Sequence, residues 1–94
     1  MIIVSQDKDE ILNFDNMTLI VINDAWDDKP GQILIATDVR GNRHTLGYYK
    51  SEERAKEVLR EIMMKYLEYS SIEDGLRNVK DVVVLPRVYE MPKE

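Results

Sequence analysis

Only the stretch from Ser51 to Tyr69 repeats its apolar residues at the spacing of a helix; the chain before it is cut by turn-forming residues into runs short enough to be strands. Ala55, Val58, Leu59, Ile62, Tyr66 and Tyr69 recur at three and four residues, which places them on one helical face. Ser51 is suited to cap the helix, and Glu52 and Glu53 put negative charge in the first turn, where the helix dipole favours it. The polar run "SSIEDGLRN" then predicts a loop after Tyr69.

Ahead of the helix, "IIVS", "EILNF", "MTLIVIN", "QILIATDV" and "RHTLGYY" read as strands, rich in aliphatic and β-branched residues. Gln6 to Asp9, Asp15-Asn16, Pro30-Gly31 and Gly41-Asn42 separate them as turns. "MTLIVIN" is apolar on both faces. Behind the helix, "DVVVLP" predicts a buried strand stopped at Pro86, with "RVYEMP" extending it along an edge. The order β-β-β-β-β-α-β predicts an α+β fold: an antiparallel sheet of five to six short strands with one long helix packed on one face. At 94 residues, positions 1–94 form a single domain.

Charge narrows the partners. Thirteen basic against eighteen acidic residues leave a net charge of -5, and the basic residues are scattered, so the overall field argues against nucleic acid. No cysteine is present, which removes disulfides, thiolate metal sites and thiol nucleophiles. The start lacks the basic and apolar regions of a signal peptide, and no window approaches the ~20 apolar residues of a membrane span. The cytoplasm is therefore the expected compartment.

Catalytic signals are sparse. His44 lies mid-strand, no nucleophile elbow surrounds Ser5, Ser51, Ser70 or Ser71, and His44 reads as a hydrogen-bonded spectator. Asp24, Asp27 and Asp28, like Asp7 and Asp9, lack the ligand spacing of a calcium loop and read as solvated acidic turns. Neither enzymatic activity nor a metal or other cofactor is expected.

Four words of the sequence, "VSQDK", "NFDN", "LGYYKSEERAKEVLREI" and "VYEMPKE", together resemble a group of small phage- and prophage-encoded proteins of Gram-positive bacteria with no known activity. The resemblance spans about half the chain and contains no catalytic motif. It implies the setting of a phage accessory protein and carries over no site residue.

The helix holds more apolar residues than one buried face can use. At about 100° per residue, with Ile62 at zero, Met63 falls about 100° away, Leu67 about 140° away and Met64 about 160° away on the other side. Met63, Met64 and Leu67 thus predict a second apolar patch, and Trp26, in the acidic loop "DAWDDKPG", is a further interface anchor if it does not fold back over the sheet end. The expected function is a non-enzymatic protein-interaction module that binds a protein partner or itself as a homodimer. The alternative is a binder of a small nucleotide-type signal, for which Arg43, Tyr48, Tyr49 and Lys50 are the aromatic and basic candidates.

Overall fold

The computed structural model describes residues 1–26, 28–76 and 88–94, with side chains throughout these ranges except over 69–76. The elements run β1 (Ile2–Val4), β2 (Ile11–Asn13), a single 3-10 turn (Phe14–Asn16), β3 (Met17–Asp24), β4 (Gln32–Asp38), β5 (Arg43–Tyr49), α1 (Glu52–Leu76) and β6 (Val88–Glu90). The α+β class and the order of elements agree with the sequence reading.

The sheet differs from the expected one. Among the described residues, six strands form two three-stranded sheets, β2-β1-β6 and β3-β4-β5, instead of one antiparallel sheet. β6 lies parallel to β1, with Ile3 opposite Tyr89, while every other pair is antiparallel. A parallel pair needs a long crossover, and the chain between β1 and β6 supplies one. The strand expected over 81–86 lies outside the described residues.

Turn chemistry sets the joints. Gly41 has a φ of 88°, and the Asp38 carboxylate accepts from the backbone N–H groups of Arg40 and Asn42, closing the β4–β5 hairpin. Gly31 has a φ of 124°, and a Cβ there would come within 2.7 Å of the Tyr48 ring, so the β3–β4 turn requires glycine.

The core lies between the two sheets and α1. Ile3, Leu12 and Tyr89 face it from one sheet, Leu34, Ala36 and Leu46 from the other, and Ala55, Val58 and Ile62 from the helix. Ser51 caps α1 as expected, its hydroxyl accepting from the Arg54 N–H.

Three expectations for α1 change. The helix continues through "SSIEDGL" to Leu76 instead of ending near Tyr69. Tyr66, expected in the core, is 36% exposed and stacks at 4.9 Å on Phe14. Leu59 is half-buried against the core rather than within it.

Three of the sequence words quoted above, "VSQDK", "LGYYKSEERAKEVLREI" and "VYEMPKE", meet in space. The Gln6 side-chain amide donates to the carbonyls of Tyr48, Pro92 and Lys93, and its oxygen accepts from the Tyr48 N–H. Tyr49 donates to the Pro92 carbonyl at 2.7 Å, and Arg54 donates to the Glu94 carbonyl. Gln6 thus acts as a side-chain rung between "VSQDK", "LGYYK" and "VYEMPKE", so these words build the fold's joints.

Candidate functional site

The apolar surplus of α1 adjoins a groove. Between the start of β3 and α1 runs a cavity of about 530 Å³ whose walls include Phe14, Met17, Leu19, Leu59, Met63 and Tyr66. β3 contributes because its "MTLIVIN" run is apolar on both faces: Ile20 and Ile22 pack against the core, while Leu19 remains exposed.

Met63 lines the groove, and Met64 and Leu67 continue the apolar surface outward around the helix, at 53%, 56% and 50% exposure respectively. On the helical wheel, Leu59, Met63, Leu67, Arg60 and Met64 follow one another from about 60° to about 200° from Ile62, so groove and stripe form one surface. Met side chains suit such a surface because they adapt to irregular partners.

β3 is also the last strand of its sheet and has a hydrogen-bonded neighbour on one side only among the described residues. Edges are ordinarily protected by lysine, proline or bulges along their length. From Met17 to Asn23 this edge carries no charge and no proline, and its single irregularity lies between Met17 and Leu19.

Trp26, expected beside the Met residues, does not join them. It stands exposed after β3 and borders a polar cleft of about 440 Å³ shared with Lys29, Arg43 and Tyr48 and with Gln6, Asp7, Asp9 and Glu10 of the β1–β2 connection. Lys29 lies 4.0 Å over the Tyr48 ring and 5.6 Å from that of Trp26. The Tyr48 hydroxyl donates to the Pro30 carbonyl, fixing the ring.

Of the four residues named for a small ligand, Arg43 and Tyr48 therefore share a cleft. Tyr48 also lines a second depression, with Tyr49, Lys50, Arg54, Lys93 and Glu94, which Arg43 does not reach. Tyr49 is buried in the core, and burial pushes its hydroxyl pKa up to about 12.

His44 is hydrogen-bonded, as the sequence suggests, and at both ring nitrogens. Its Nδ1 lies 2.9 Å from a Glu10 carboxylate oxygen and its Nε2 3.0 Å from an Asp38 oxygen. The bond to Asp38, then the bond to Glu10, raises the His44 pKa above its ordinary value. The Asp38 carboxyl is in turn lowered to about 2, chiefly by His44. No signal in the sequence pairs His44 with Glu10, because the contact arises only when the β1–β2 turn packs beside β5.

No protein-family model, no curated protein and no solved structure matches this chain. No helix among the described residues is long and apolar enough to cross a membrane.

Proposed function

We propose that this chain is a non-enzymatic protein-interaction domain that associates with a second copy of itself through the β3 edge and the adjoining α1 stripe. The observation that carries the reading is the β3 edge, open among the described residues, lying directly beside the apolar groove. An antiparallel β3 edge can pair with its own copy about a two-fold axis, the commonest symmetry of small assemblies. Such pairing would join two three-stranded sheets into one of about six strands. A strand edge alone is too narrow for the roughly 800 Å² per partner of a stable interface, and the groove with Met63, Met64 and Leu67 adds the apolar area. The resemblance of the joint-forming words to phage and prophage proteins supports a cytoplasmic phage accessory role, in which the same surface serves a host or phage protein.

Sedimentation equilibrium tests the association. The parent should show twice the 11.0 kDa chain mass, and Leu19→Lys, which places a charge on the open edge, should show the chain mass. A parent of single-chain mass at millimolar concentration refutes the self-pairing.

A second reading, a small nucleotide-type ligand, is supported by the convergence of Trp26, Arg43 and Tyr48 on the polar cleft. Mass spectrometry of a denaturing extract of purified protein tests it: a retained stoichiometric small molecule supports the cleft as a site, and an empty extract together with no binding of nucleoside phosphates removes it.

A further inference from the structure

A neutral imidazole carries one N–H and can donate to one acceptor, yet His44 faces a carboxylate oxygen at each ring nitrogen, at 2.9 Å and 3.0 Å. Only the imidazolium satisfies both. The charged groups on His44 are Glu10, from the turn between β1 and β2, and Asp38, from the end of β4. The protonated ring therefore ties the turn of one sheet to the hairpin of the other.

The two arms are unequal. The Asp38 carboxylate is 17% exposed and is also held by the N–H groups of Arg40 and Asn42, whereas that of Glu10 is 40% exposed. When the ring loses its proton, one bond must be given up, and the looser Glu10 arm is the one that yields. Glu10 lines the polar cleft together with Gln6, Asp7 and Asp9 of the same turn, and with Trp26 and Arg43.

We propose that His44 is a proton-operated latch that holds the 7–10 turn at the polar cleft against the β4–β5 hairpin while the ring is charged and releases that turn when it becomes neutral, Gln6 staying anchored by its own hydrogen bonds. The raised pKa of His44 fits this direction, keeping the latch engaged above the ordinary histidine value of 6.5.

Nuclear magnetic resonance on the full chain decides the matter. Ring nitrogen shifts should show both His44 nitrogens protonated in acid, with deprotonation above 6.5. As His44 titrates, the amides of Lys8 and Glu10, bonded to Ser5 within the turn and corrected for intrinsic exchange, should lose protection by about tenfold or more, the equivalent of one charge-assisted hydrogen bond, while that of Gln6, held by the Leu46 carbonyl, should keep its protection. Glu10→Gln should lower the His44 pKa and abolish that step. The latch is refuted if His44 titrates at or below 6.5 in the parent, or if the turn's protection does not follow the ring. The parent titration alone decides should the variant fail to fold.

Discussion

From Glu52 to Ile62 the core-facing residues of α1 lie over three strands and are buried, whereas from Met63 to Leu67 residues just as apolar stand between 36% and 56% exposed. Phase explains most of the change: Met63, Leu67 and Met64 lie about 100° to 200° from Ile62, off the core face. Tyr66 lies only about 40° from Ile62, yet it borders the groove beside β3 and meets the Phe14 ring instead of entering the core. Periodicity in a sequence reports which face of a helix is apolar; how closely the neighbouring elements pack decides how much of that face is core.

Substitutions along the helix should trace this boundary. Ile62→Ala deletes a side chain that is 1% exposed and should lower the unfolding free energy by about 2 to 5 kcal/mol in denaturant titrations. Leu59→Ala, one turn earlier but half-buried, should fall near the lower end, about 2 kcal/mol. A Leu59 loss equal to or above that of Ile62 would move the boundary.

Tyr66 contributes through its ring contact with Phe14, and Tyr66→Ala should cost about 1 kcal/mol. A loss comparable to that of Ile62→Ala would return Tyr66 to the core.

Acid should separate the helix from the rest of the molecule. Asp38 has its pKa lowered from 3.8 to about 2, so its stabilisation is complete above 3.8 and is lost as pH falls toward 2. His44, with a raised pKa, adds stabilisation that is present below its ordinary value and lost as pH rises through the raised one. The stability of Asp38→Asn should therefore decline less than the parent's between pH 4 and 2, as followed by circular dichroism. An identical decline would mean that other carboxylates carry the acid response.

The order of elements, the Ser51 cap, the glycine turns and the first half of the helix were readable because each depends on neighbours close in sequence. The split into two sheets was not. It depends on β6 returning parallel to β1, a pairing between residues more than 80 positions apart, such as Ile3 and Tyr89. Tyr66 keeps the apolar phase of the core face, but it meets Phe14 at the groove beside β3 instead of entering the core. In the site, Met63, Met64 and Leu67 are legible from their helical phase, while the groove and the β3 edge, open among the described residues, require the strand order. Trp26 was grouped with the Met residues on chemistry alone, and the β3–β4 turn carries it to the polar cleft instead.

The central claim is that the first half of α1 holds the fold and the second half, with the β3 edge, holds a partner. It is tested most directly by Met64→Glu with Leu67→Glu, measured for both unfolding free energy and mass in solution. The account predicts stability within about 0.5 kcal/mol of the parent, as for exposed positions, together with a fall from twice the chain mass to the chain mass. A double variant that keeps the parent's mass, or one that unfolds, would contradict it.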